Sequence, residues 1–247
     1  MERKRLTNII LIIVLIINTA YICYAQYTIR TDSRMYFSKA EGLRNEFSIL
    51  SSEIDKKIKD LEELLESLKE KKKVLETLSA VGKYVNVDLS SDLDKVEEIA
   101  EKTPLDMETA AIIIAYSKKF KVKPSLILAV MKLESNFNRY AVGKDDDRGY
   151  MQIIPPTEKW LAEKYGYKLG LKYNPNQIFK PEYNIGLGVI YLSILKKAYG
   201  ENYDRILSEY NRGPYNLREY YEKHNTYATS YSRGVLRREK VFVELND

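Results

Sequence analysis

One cysteine and one histidine in 247 residues exclude most side-chain chemistries at the outset. Cys23 lies in an apolar N-terminal segment, so no disulfide can form within the chain. His224 sits in the polar run Glu222-Lys223-His224-Asn225, where a surface position is the simplest expectation. A Cys–His pair, a Ser–His–Asp triad and a His/Cys zinc site are therefore not expected, and no cofactor or metal is implied. Arginine-rich runs are missing too, and the net charge of +5 is modest, so nucleic acid is not an expected partner. A weakly basic surface suits anionic envelope polymers or lipid head groups. Catalysis is left to carboxylates, amides, hydroxyls and tyrosines.

Charge is absent between Arg5 and Arg30. Leu6–Ala25 fills that gap, with nine unbroken apolar residues at Ile9–Ile17. Twenty helical residues at about 1.5 Å each give roughly the 30 Å of a bilayer core. Arg3, Lys4 and Arg5 before it predict a cytoplasmic N-terminus and an exported remainder, a single-pass protein of the cell membrane. An uncleaved signal-anchor is the expectation. Cleavage after Ala25, in Cys23-Tyr24-Ala25, is the alternative, while Ile22 argues against a lipoprotein site at Cys23.

Two-residue alternation is missing as well, so the fold class is mostly α. Steps of four and three residues from Leu43 pick out Phe47, Leu50, Ile54, Lys57, Leu61, Leu64, Leu68, Lys71, Leu75 and Leu78. Nine of these eleven seam positions are apolar, a pattern that argues for a long coiled-coil helix. It predicts a stalk and a homo-oligomer; one helix folding back on the domain is the alternative. Val81–Ser91, with Gly82 and the run Val85–Ser91, reads as a break. Helices follow at about 92–102, 106–120, 124–135, 155–166, 181–200, 203–211, 215–223 and 227–241, with Pro124, Pro155 and Pro181 at their starts. The implied domains are 1–30 (cytoplasmic start and transmembrane anchor), 31–81 (stalk) and 82–247 (an α-helical catalytic domain).

Within that last domain the helix Leu126–Asn138 delivers one carboxylate, Glu134. Ile127, Val130 and Met131 stand seven, four and three residues before it and share its face. A carboxylate at the end of an apolar face tends to be desolvated, which favours the neutral, proton-donating form. Alone, Glu134 could equally be a helix-end residue pointing to water. Four groups follow it: Gly149-Tyr150-Met151-Gln152, Asn184-Ile185 leading into Gly188 and Tyr191-Leu192, Tyr210-Asn211-Arg212-Gly213, and Tyr227–Leu236 with Tyr231. Singly, each has an ordinary explanation in packing or helix stopping.

Together, in this order and spacing, they resemble the catalytic domain of the soluble lytic transglycosylases over roughly Ala110–Leu236. The resemblance implies a goose-type-lysozyme-like fold and a substrate in peptidoglycan glycan strands. It implies that Glu134 is the single catalytic acid, with Ser135 beside it. It also implies substrate-binding roles for Met151, Gln152, Tyr210, Asn211 and Tyr231, the last hydrogen-bonded to the catalytic carboxylate. The reaction implied is non-hydrolytic cleavage of the β-1,4 bond between N-acetylmuramic acid and N-acetylglucosamine, giving 1,6-anhydromuramyl products.

Three departures stand out. Tyr150 replaces the usual Leu, Glu209 precedes the Tyr-Asn pair, and the loop Gly143–Asp147 carries three aspartates instead of the family serine. If Asp145, Asp146 or Asp147 oriented a water, the enzyme would be a muramidase. A non-catalytic glycan-binding or assembly module is the remaining alternative.

Overall fold

The computed structural model describes residues 2–28 and 33–246, and divides into two units, Met1–Leu68 and Lys69–Asp247. The expected boundary at 30/31 lies outside the described residues. Among those residues the regular structure is helical, with short 3₁₀ turns, joined by irregular loops that carry the isolated β-bridges Val142–Arg148 and Arg148–Ile153.

In the first unit, α1 spans Glu2–Thr28, and its segment Lys4–Tyr27 is long and apolar enough to cross a membrane. α2 begins at Ser33 and runs to Val85. Its seam residues Leu43, Leu50, Ile54, Leu61, Leu64 and Leu68 are all exposed.

The second unit takes up the end of α2, where Val74 and Leu78 join the core. The break expected from Val81 opens only after Val85. Gly82 is not the stop. A Cβ there would come within 2.6 Å of the Val87 carbonyl, so the glycine lets the returning chain approach, and the Val87 N–H closes the turn onto the Gly82 carbonyl at 2.9 Å.

The remaining helices are α3 (Leu93–Lys102), α4 (Met107–Phe120), α5 (Pro124–Glu134), α6 (Pro155–Tyr165), α7 (Pro181–Tyr199), α8 (Tyr203–His224) and α9 (Ser230–Glu239). Their ends follow local chemistry. The Asp106 carboxylate accepts from the Thr109 N–H at 2.7 Å to start α4. Pro181 opens α7, and Gly200, at φ 63°, closes it. Thr229 and Ser232 form a reciprocal capping box at the start of α9. The two helices expected at 203–211 and 215–223 form one run, kinked at Gly213, whose φ of 74° no other residue type adopts as readily. Pro214 restarts the helix without needing an N–H donor.

α5 sits at the centre. Ile127, Leu128, Ala129, Val130 and Met131 are each fully buried, with α9 and the 3₁₀ tail Lys240–Asn246 as its main neighbours. Burial of each large side chain contributes about 1.5–3 kcal/mol. A helix held this firmly on all sides makes a fixed mount for whatever stands at its last residue, Glu134.

Candidate active site

α5 ends at Glu134, and Ser135 caps it with its N–H on the Met131 carbonyl. The Ser135 hydroxyl donates to the carbonyls of Met131 (3.1 Å) and Tyr150 (2.9 Å), so it ties the helix end to the following loop. Glu134 itself is half-buried. Its Oε1 accepts a 2.5 Å hydrogen bond from the Tyr231 hydroxyl on α9.

Burial pushes the Glu134 carboxyl up to about 7; the Tyr231 hydrogen bond opposes this, and the nearby Asp147 charge adds to it. Tyr231 and Tyr210 are both held well above the usual phenol range, by burial first and the Glu134 charge second, and remain neutral donors. A carboxyl poised near neutrality beside neutral phenols is suited to give a proton and take one back.

The loop from Arg139 to Ile154 builds the wall facing this carboxyl. Asn184, wholly buried on α7, clamps it twice: its Nδ2 donates to the Arg148 carbonyl (2.9 Å) and its Oδ1 accepts from the Met151 N–H (2.8 Å). Gly149, at φ 76°, fits only as glycine, because a Cβ would meet the Asn184 side chain at 2.4 Å. Gly188 is matched to Met151 in the same way, with contacts from 2.6 Å. The Arg148 guanidinium pairs with Glu158 at 2.9 Å, and Glu158 also accepts from the Tyr183 hydroxyl at 3.0 Å. Burial raises the Glu158 carboxyl, while Tyr183 and Arg148 pull it back.

A cleft of about 600 Å³ lies over Glu134. Of the residues expected at the site, Glu134, Gln152, Tyr210 and Asn211 line it. Gln152 is held at φ 46°, with its Nε2 donating to the carbonyls of Gly149 (2.9 Å) and Ala141 (3.2 Å). Its carboxamide oxygen is thereby the end available to a ligand. The Tyr210 hydroxyl donates to the Met151 carbonyl at 2.9 Å, which joins α8 to the loop. Ser135, Met151 and Tyr231 stand behind the cleft wall: Ser135 and Met151 hold the loop, and Tyr231 reaches Glu134 from α9.

Further residues line the cleft, of which Ile154 and Thr157 were not singled out by sequence pattern. Tyr191 lies 5.3 Å from the Tyr210 ring and extends the aromatic side of the cleft, and Thr157 and Ile154 flank it. Tyr191 was visible only as part of the α7 motif. Asp145 and Asp147 line the cleft, whereas Asp146 turns away toward Arg148 at 3.8 Å. The Asp147 carboxylate lies over Gly143 and accepts from the Asp145 N–H at 3.2 Å. Glu209 does not enter the cleft: it is buried and accepts from the Tyr199 hydroxyl at 2.7 Å. Among the described residues, His, Cys, Asp and Glu form no group of three able to hold a metal ion.

The family model for the Transglycosylase SLT domain matches residues 111–232, the span from α4 to α9 that builds this cleft. Residues 111–232 form a Transglycosylase SLT domain. Membrane-bound lytic murein transglycosylase C of Yersinia pestis is 44 % identical over 84 residues, covering 33 % of this chain and 22 % of that protein. Its counterpart in Pectobacterium atrosepticum is 41 % identical over 83 residues, covering 34 % and 23 %. The chain thus spans under a quarter of the length of these curated relatives. Among solved structures, an inactive mutant of the lytic transglycosylase Slt from Pseudomonas aeruginosa aligns with a TM-score of 0.48 at 23 % identity, over 60 % of this chain and 27 % of that one. The SLT match begins one residue after Ala110, where the motif resemblance also starts.

Proposed function

We propose that the chain is a peptidoglycan lytic transglycosylase, cleaving the β-1,4 bond between N-acetylmuramic acid and N-acetylglucosamine, with Glu134 as its single acid and base. The observation that carries this reading is Glu134 itself, a carboxyl lifted to about 7 at the floor of a cleft large enough for sugar rings. The names of the related murein transglycosylases support the substrate class.

With Tyr231 holding Oε1, the Glu134 carboxyl proton passes to the glycosidic oxygen as the bond from C1 breaks. The muramyl C1 is left oxocarbenium-like. The Glu134 carboxylate then takes the proton of the muramyl C6 hydroxyl, whose oxygen closes on C1 as a 1,6-anhydro ring. The proton given is regained and no water is consumed. Gln152, Tyr210 and Asn211 contact the sugars in this reading, while Ser135, Met151 and Tyr231 position the groups that do.

A second reading, a muramidase, is favoured by one observation: Asp147 lines the same cleft. Its carboxylate is engaged with the Asp145 N–H, so it is a poor candidate to hold a water against the sugar.

α1 serves as a single-pass membrane anchor with the SLT domain on the extracytoplasmic side, the orientation that the basic residues before the apolar run favour. The exposed apolar seam of α2 is a self-association stalk, and the domain limits 1–30, 31–81 and 82–247 are part of the same proposal. In a digest of purified peptidoglycan, Glu134→Gln is expected to abolish turnover while glycan binding persists. Activity retained by that variant would remove Glu134 from its role.

A further inference from the structure

Arg212 brings a guanidinium to the cleft. It stands on the α8 side, one residue before the Gly213 kink, and lines the same cavity as Glu134. Its guanidinium lies 4.6 Å from the Tyr220 ring centroid, a stacking that fixes the plane of the fork. Its carbonyl accepts from Asn216 Nδ2 at 2.9 Å, which ties down the backbone from which it springs. Among the described residues no carboxylate forms an ion pair with it, and its buried Nε has no hydrogen-bond partner. Arg148 makes the contrast: it is paired with Glu158 and engaged in holding the loop. Arg148 and Arg205 also have a buried Nε without a hydrogen-bond partner, but Arg205 is stacked on Tyr199 and Tyr227, and neither lines the cleft. The aspartates of the cleft stand on the Gly143–Asp147 loop together with Lys144, whereas Arg212 reaches the cleft from α8.

A pre-oriented guanidinium without an acid partner, in a substrate cleft, fits a planar anion better than a neutral sugar. We propose that Arg212 recognises a carboxylate on the glycan strand and so selects muramyl-containing strands over uncharged N-acetylglucosamine polymers. This rests on the transglycosylase reading above. The carboxylate has two chemical sources: the lactyl ether of a peptide-free muramyl residue, or the peptide attached there.

The test uses the full chain carrying Glu134→Gln, so that bound glycan is not consumed. Calorimetry compares three ligands: a chitin tetrasaccharide, peptide-free glycan with free lactyl carboxyls, and peptide-bearing glycan. The carboxylate-bearing strands are expected to bind more tightly than the chitin oligomer. Adding Arg212→Gln is expected to weaken them by about tenfold or more, the size of one charge-assisted hydrogen bond. Chitin binding should stay within about twofold, which also reports that the cleft is folded. Arg212→Lys, which keeps the charge without the fork, should restore part of the loss. A loss on the peptide-free strand alone assigns the lactyl carboxylate, a loss on the peptide-bearing strand alone assigns the peptide, and a loss on both shows that a carboxylate from either source is read. Equal losses on all three ligands, no loss on any, or no preference for muramyl strands in the parent would each overturn the assignment. If the parent binds none of the three, the transglycosylase reading fails with it.

Discussion

At the scale of single residues, the site depends on how burial, one hydroxyl and one charge treat one carboxyl. Burial sets Glu134 near 7, and Tyr231 moderates it by donating to Oε1. The acid form is needed at the start of the reaction, so kcat/KM is expected to fall as pH rises through about 7. Removing the donor with Tyr231→Phe should shift that falling limb to higher pH, because the lowering hydrogen bond is lost; a limb that stays put or moves down would contradict the role given to Tyr231. The linkage to stability has the same sign. Between the unfolded carboxyl value and about 7 the folded state holds a proton that the unfolded state has lost, so stability drains away as pH rises through that window. In the sequence Glu134 stood out only through the motifs downstream of it, since its apolar face at helical spacing fits a helix-end residue as well. Asp147 was legible only as one of three adjacent acids. Which of them faces the cleft is decided by the turn closed by the Gly143 N–H on the Asp147 carbonyl at 2.8 Å, a backbone contact with no spacing rule behind it.

At the scale of elements, the cleft wall is a loop held by neighbouring helices as well as by its own short bridges. Asn184 supplies two of its hydrogen bonds and Arg148 anchors it to α6 through buried Glu158. Asn184→Ala would leave the Met151 N–H and Arg148 carbonyl unpaired, and is expected to cost about 2–4 kcal/mol in urea unfolding. It should also lower kcat, because Gln152 rides on the same loop; full activity with unchanged stability would contradict the clamp. Helix positions were largely readable from Pro124, Pro155, Pro181 and the apolar periodicity. Two misplacements have physical causes. Gly82 reads as a breaker, but its missing Cβ serves a close approach by Val87. Arg212-Gly213-Pro214 reads as a stop, but the chain continues into a second helical segment after a single left-handed residue. Glu209, a departure from the family pattern, is absorbed by its tertiary partner Tyr199, which lies ten residues earlier and outside any local motif.

At the scale of the whole molecule, an apolar N-terminal helix and a long helix precede an SLT domain. The exposed seam on α2 has its apolar residues at heptad spacing, which a second copy of the helix would cover. In detergent, sedimentation should report an oligomer, and changing Leu50, Ile54, Leu61 and Leu64 together to lysine should reduce it to a monomer; an unchanged mass would count against the stalk. The mostly α fold was readable from helical periodicity and proline starts, and the SLT domain from the order and spacing of motifs that the fold brings to one cleft. The Arg212 environment was not, because its Tyr220 stack forms across the Gly213 kink and only the folded backbone brings it together. The central claim is that one carboxyl performs the cleavage without water. Digestion of peptidoglycan in heavy-oxygen water, with mass spectrometry of the released muramyl ends, tests it most directly. The account predicts anhydro ends that carry no heavy oxygen, and ends that are one water heavier and isotopically labelled would contradict it.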